Sequence, residues 1–192
     1  AEYLHFDVMD GMFVSNISFG IPVLASIKGA ADIVMDVHLM IEEPIRYVEA
    51  FHKAGADILN VHYEACEDVQ ATLDAIHKCG MKAGLTIKPA TPVEVLKPYL
   101  DQAELFLIMS VEPGKGGQSF IPESLDKIRE LRGLLNEKGL TADVEVDGGI
   151  HLGNAKEVLE SGANVLVAGS AVFKDNIAEN VKGFMEILNE NE

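Results

Sequence analysis

AGADILNVH, residues 54–62, shows in one short stretch how the chain is organised. Gly55 falls just past the end of an amphipathic segment, where a helix needs a left-handed cap. An apolar strand, Asp57–His62, then starts within about three residues, a normal length for a helix-to-strand connection. The same punctuation returns as CGMKA at Cys79–Ala83 and SGANV at Ser161–Val165. Working outward from it, short apolar runs rich in Val, Ile, Leu and Met mark strands at Tyr3–Met9, Asp32–Met40, Asp57–His62, Lys82–Ile87, Leu105–Val111, Ala142–Val146 and Asn164–Ala168. Such runs suit strands buried on both faces. Helices are expected between them. The clearest, Pro122–Lys138, sets Leu125, Ile128, Leu131 and Leu135 on one stripe.

Alternating strands and helices with short loops predict a parallel sheet with helices outside. The polar residues that can carry chemistry sit at the C-terminal ends of the strands: His5 and Asp7, His38, His62, Lys88, Glu112, Asp147 and Ser170. In a (β/α) barrel that end is the active-site face. We therefore expect one α/β domain over residues 1–192, a (β/α)8 TIM barrel. Seven strands are legible rather than eight, and the chain opens inside a strand. The expectation is that a first strand and helix precede residue 1.

Composition narrows the partners. There are 15 Lys+Arg against 31 Asp+Glu, a net charge of −16. That disfavours nucleic acid and anionic membrane surfaces, which both attract basic faces. It leaves a small anionic ligand open, because backbone N–H groups bind phosphate locally. No run of about 18 apolar residues appears, and the opening AEYLHFDVMDG lacks the pattern of a signal peptide. Cys66 and Cys79 read as free thiols, and the expected location is cytoplasmic.

Four motifs carry the chemistry. In LHFDVMDG, Leu4–Gly11, His5 and Asp7 are two apart and share one side of a strand; they can hold a divalent metal or form a structural His–Asp pair. In DVHLM, Asp36–Met40, His38 ends the next strand, with Asp36 deeper in it. In EVDGGI, Glu145–Ile150, Asp147 reads as a turn residue or as a carboxylate at a barrel mouth, with Gly148 and Gly149 letting a phosphate approach the backbone. VAGSAVF follows one strand later, and Gly169–Ser170 opens a helical turn. Gly-rich loops after the last two strands form the recurrent phosphate site of such barrels. In EPGKGGQSF, Glu112–Phe120, the Gly114–Lys115–Gly116–Gly117 loop suits a lid. Met9, Met40 and Met109 end apolar strands and are core residues or walls that shield a site. His52 and His77 fall within helices and read as exposed; His62 stays open. Two imidazoles and two carboxylates suit Zn²⁺, Fe²⁺, Mn²⁺ or Co²⁺ better than Mg²⁺. Two carboxylates from distant strands can also exchange protons on opposite faces of a carbon beside a carbonyl.

Together LHFDVMDGMFVSNISFG, DVHLM, VEPGKGGQSF, EVDGGI and VAGSAVF resemble, in order and spacing, the ribulose-phosphate 3-epimerases, along essentially the whole chain. The resemblance implies a ribulose-phosphate-binding barrel that interconverts D-ribulose 5-phosphate and D-xylulose 5-phosphate through a metal-stabilised enediolate. It implies one divalent metal per subunit, Zn²⁺ first among the candidates, on His5, Asp7, His38 and Asp147, with Asp7 and Asp147 as acid and base. It places substrate and phosphate contacts on His38, Gly114, Lys115, Gly116, Gly117, Gly148, Gly149, Gly169 and Ser170, and site walls on Met9, Met40 and Met109. It also implies a homo-oligomer, a dimer or hexamer. Met12, Ser15 and Lys115 stand where the family usually has His, Pro and Phe. The alternatives are a D-allulose-6-phosphate 3-epimerase and a sugar-phosphate-binding fragment without activity. The related barrel decarboxylases and aldolases carry an Asp-x-Lys-x-x-Asp array that is absent here.

Overall fold

The computed structural model describes residues 1–191. These form a parallel sheet in strict chain order: β1 (Tyr3–Met9), β2 (Val34–Met40), β3 (Ile58–His62), β4 (Lys82–Ile87), β5 (Leu105–Met109), β6 (Asp143–Asp147) and β7 (Val165–Val167). Helices α1 (Ile21–Lys28), α2 (Val48–Ala54), α3 (Val69–Lys78), α4 (Ser124–Glu137), α5 (Ala155–Glu160), α6 (Ser170–Phe173) and α7 (Ile177–Asn189) lie in the connections and after β7. Between β4 and β5 the connection is a 3₁₀ segment, Val93–Tyr99, rather than an α-helix. Pro98 lies inside it, has no N–H to give and crowds the preceding turn, so an α-helix does not propagate there.

The sheet is a nearly closed barrel. Five spacings separate β1 from β6 in the ladder, roughly 24 Å if the sheet were flat. Instead His5 of β1 reaches Glu145 of β6 at 3.4 Å across the interior. The helix-capping glycines behave as expected: φ is 103° at Gly55, 82° at Gly80 and 116° at Gly162, the left-handed region that suits glycine. Each returns the chain to a strand.

Side-chain alternation divides the core. Outward residues such as Val37, Leu59, Leu85, Phe106 and Val146 are buried under the helices. Leu125, Ile128, Leu131 and Leu135 of α4 pack into this layer, each contributing on the order of 1.5–3 kcal/mol of apolar burial. Inside the barrel the residues are layered. Tyr3, Val34, Ile58 and Leu105 make an apolar floor near the strand starts. His5, Asp36, Asn60 and Glu145 form a buried polar layer, with Asp7, His38, His62 and Asp147 one step nearer the mouth. Among the described residues no helix is long and apolar enough to cross a membrane.

Candidate active site and metal centre

Strand register assembles the site. On β1 and β2 the pairs His5–Asp36 and Asp7–His38 are opposite each other in the ladder. His5 Nδ1 lies 2.6 Å from Asp36 Oδ2, and His38 Nδ1 lies 2.9 Å from Asp7 Oδ1. Asp147 enters from β6, its Oδ2 4.0 Å from both His5 Nε2 and His38 Nδ1. His5, Asp7, His38 and Asp147 each offer one ligand atom, and all four atoms lie within 4.8 Å of one another. The structure thus brings together the four residues singled out as ligands.

Those residues fit a divalent cation. His5 Nε2 is buried without a hydrogen-bond partner, 3.3 Å from Asp7 Oδ1. Two nitrogens and two oxygens form a donor set suited to a borderline metal. His5, Asp36 and Glu145 also cluster closely, but hydrogen bonds already occupy that group. Asp36 takes up His5 Nδ1 and accepts from Asn60 Nδ2 at 2.5 Å. The upper cluster is the better candidate for holding a metal ion.

The electrostatics agree. Burial, reinforced by the Asp36 charge, pushes the Glu145 carboxyl well above its ordinary range. Burial also raises Asp147, with the Asp7 carboxylate adding to it against the pull of His5. For Asp7 burial acts upward too, but hydrogen bonds and charge from His38 and His5 outweigh it, and its pKa falls well below the usual carboxylate range. Burial works against a charged His5, yet Asp36 and Glu145 raise it well above an ordinary histidine. Burial and neighbouring carboxylates thus raise Glu145 and Asp147, while the imidazoles lower Asp7; a divalent cation would neutralise the negative charge gathered there.

Above the cluster is an open cleft of about 130 Å³. Asp7, Asp147, Met9, Met40, Met109, Gly114, Lys115, Gly116, Gly117, Gly148, Gly149, Gly169 and Ser170 all line it. His5 and His38 do not; they lie beneath, with His38 wholly buried. Gly149 has φ of 66°, and a Cβ there would meet the Phe120 backbone nitrogen at 2.3 Å, so this backbone bend needs glycine. Asn16 Nδ2 donates to the Gly114 carbonyl at 2.5 Å and ties the Gly114–Gly117 loop to the β1–α1 connection.

A profile described as the ribulose-phosphate 3 epimerase family matches residues 1–173. The chain belongs to the ribulose-phosphate 3-epimerase family. It is 51% identical over 186 residues to a ribulose-phosphate 3-epimerase of Synechocystis, covering 95% of this chain and 81% of that protein. It is 49% identical to the Bacillus subtilis protein of that name, covering 90% and 80%. Solved structures share the fold alone. One is phosphoribosyl anthranilate isomerase from Thermus thermophilus, with TM-score 0.70 and 19% identity over 100% of this chain and 90% of that one. Another is 3-hexulose-6-phosphate synthase from Salmonella typhimurium, with TM-score 0.70 and 15% identity over 100% of both.

In this ribulose-phosphate 3-epimerase family member the cluster has surroundings that the motifs did not reveal. Asn60 and Glu145 join Asp36 beneath His5. His62 Nε2 lies 2.8 Å from His38 Nε2. Burial takes the pKa of His62 down to about 4. Its Nδ1 lies 3.2 Å from Glu64 Oε2. Burial opposes the Glu64 charge, but His62, the Thr91 hydroxyl and the Lys88 backbone N–H outweigh it and lower its pKa to about 2. The available signal was alternation: Glu145 is two residues from Asp147 and so shares its side of the strand.

Proposed function

We propose that the chain interconverts D-ribulose 5-phosphate and D-xylulose 5-phosphate, with Asp7 and Asp147 as its two proton-transferring groups. The observation that carries this reading is their common placement. The two come from β1 and β6, line one cleft, and belong to the same four-residue donor cluster. One carboxylate takes the C3 proton from one face of the sugar and leaves an enediolate. The other, entering protonated, returns a proton to the opposite face. Each turnover exchanges their protonation states, so the same pair serves both directions.

His5, Asp7, His38 and Asp147 would hold the metal, with Zn²⁺ the first candidate and Fe²⁺, Mn²⁺ or Co²⁺ the others. When bound, it supplies Lewis-acid stabilisation of negative charge developing on the substrate oxygens. The chain's own residues do the rest. Gly148, Gly149, Gly169 and Ser170 present backbone and hydroxyl donors for the phosphate. The Gly114–Gly117 loop covers the sugar and brings the Lys115 cation to it. Met9, Met40 and Met109 keep water from the reacting carbon. Met12 and Ile17, 71% and 80% exposed, favour association between copies; sedimentation of the purified protein tests that.

The test of function is NMR in D₂O on the metal-loaded protein. With D-ribulose 5-phosphate we expect deuterium at C3 together with xylulose 5-phosphate. Faster turnover of D-allulose 6-phosphate would reassign the substrate. Binding without exchange at C3 would leave only a sugar-phosphate-binding protein.

A further inference from the structure

His38 is wholly buried, and each ring nitrogen has a neighbour of its own. Nδ1 faces Asp7 Oδ1 at 2.9 Å, inside the donor cluster. Nε2 faces His62 Nε2 at 2.8 Å, on the side away from it. We propose that His62 and Glu64 are positioning residues that fix the tautomer of His38, keeping its Nε2 protonated and its Nδ1 lone pair free for a metal.

Donors and acceptors alternate along the line from Glu64 to His38. An ionised carboxylate only accepts. Glu64 Oε1 accepts from the Lys88 backbone N–H at 2.8 Å and from the Thr91 hydroxyl. Glu64 Oε2 faces His62 Nδ1 at 3.2 Å, so the hydrogen of that contact belongs to His62. A neutral His62 protonated at Nδ1 has a lone pair at Nε2. Two imidazole nitrogens 2.8 Å apart bond only when one donates and the other accepts, so His38 Nε2 donates. A proton on His38 Nδ1 makes the contact to Asp7 Oδ1 while no metal is bound; when a cation takes its place, the lone pair of the neutral ring is on Nδ1.

His5 is held in the opposite sense: Asp36 takes its Nδ1, and its unpartnered Nε2 faces the cluster. The two imidazoles thus use different nitrogens, and each nitrogen is chosen by an acceptor on the far side of the ring. Phe13 packs against His62 at a tilt of 51°, with ring centroids 4.8 Å apart, and limits its rotation. This inference rests on His38 being a ligand, as proposed above. It adds two residues that touch neither substrate nor metal.

Glu64→Gln separates polarity from shape. The two donors on Oε1 keep the amide oxygen there, so the amide NH₂ faces His62 Nδ1 and requires an acceptor. That drives the hydrogen of His62 to Nε2 and the His38 lone pair away from the cluster. His62→Gln is the rescue: its amide oxygen can accept from His38 while its NH₂ donates to Glu64. The experiment uses the full chain with Zn²⁺. Affinity is measured by chelator competition, and the protonated ring nitrogens are read by long-range ¹H–¹⁵N correlation. We expect Nδ1–H on His62 and Nε2–H on His38 in the parent. We also expect Zn²⁺ affinity about 10- to 100-fold weaker in Glu64→Gln, and within several-fold of the parent in His62→Gln. Nε2–H on His62 in a parent that binds Zn²⁺ through His38, or unchanged affinity in Glu64→Gln, overturns the relay alone. Zn²⁺ that leaves the His38 nitrogens unmoved in the parent removes His38 from the ligand set and overturns both readings.

Discussion

Asp7 and His38 are opposite each other on β1 and β2, and their side chains meet at 2.9 Å. One rung deeper the order is reversed, His5 on β1 against Asp36 on β2 at 2.6 Å. Each imidazole therefore meets a carboxylate from the neighbouring strand, and the chemistry depends on the register of the sheet as much as on residue identity.

Asp7→Asn and Asp147→Asn keep shape but cannot shuttle a proton. We expect each to lower kcat by about 10³-fold or more, toward the upper end of the range for a single acid–base group, because an anionic ligand goes too. Circular dichroism should be unchanged. His52 is exposed on α2, so His52→Ala is the control and should keep full activity. Near-normal turnover in either aspartate variant would refute their assignment.

Chelation tests the metal centre. A cation that binds only the folded chain stabilises it by about 2.7 kcal/mol when present at 100 times its Kd. Stripping with a strong chelator should abolish epimerisation and lower Tm. Zn²⁺, Fe²⁺, Mn²⁺ or Co²⁺ added back should restore both. A Tm and activity indifferent to the chelator would count against the site.

Gly149→Ala should impair phosphate binding. Its Cβ would meet the Phe120 backbone nitrogen at 2.3 Å, at a φ of 66°. We expect a loss of about 1–3 kcal/mol in stability from the strained backbone, with KM raised more than kcat is lowered. At Gly80, φ is 82° but nothing lies within 4 Å of the added carbon. Gly80→Ala should cost about 1–2 kcal/mol from the left-handed backbone alone and leave KM unchanged. Equal KM values in the two variants would contradict a phosphate role for the Gly149 turn.

Glu64 should leave a mark on acid unfolding. Its pKa falls from 4.5 to about 2 on folding: burial alone would raise it, and the donors from His62, Thr91 and Lys88 outweigh burial. A depressed carboxylate stabilises the fold fully above its unfolded pKa, and that contribution is lost as pH falls toward the folded value. Between about pH 4.5 and 2, Glu64→Gln should therefore show a shallower loss of stability than the parent. Parallel denaturation curves through that window would exclude the contribution.

Much of this was legible beforehand because parallel strands are short and apolar and end in polar residues. Tyr3–Met9 and Lys82–Ile87 match the observed strands at both ends. The other strands shift by a residue or two, where a polar residue such as Asp32 or Asp57 flanks the apolar run. His5, Asp7, His38 and Asp147 stood out as strand-end residues spaced for one face. The supporting contacts did not. That His5 leans on Asp36, or that His62 joins His38 to Glu64, depends on which rungs of three strands coincide, and local sequence carries no record of that. The 3₁₀ connection before β5 was obscured for a different reason: its apolar spacing is helical, and Pro98 overrides it.

The polar layer across the barrel, His5, Asp36, Asn60 and Glu145, also bears on how the chain assembles. A strand that slides by one residue against its neighbour turns its charged row outward, beneath the helices, and its aliphatic row inward. Stranding an unpaired carboxylate among hydrocarbon costs several kcal/mol. The polar groups beneath the donor cluster thereby act as proofreaders of folding, rejecting misaligned sheets before any substrate is met.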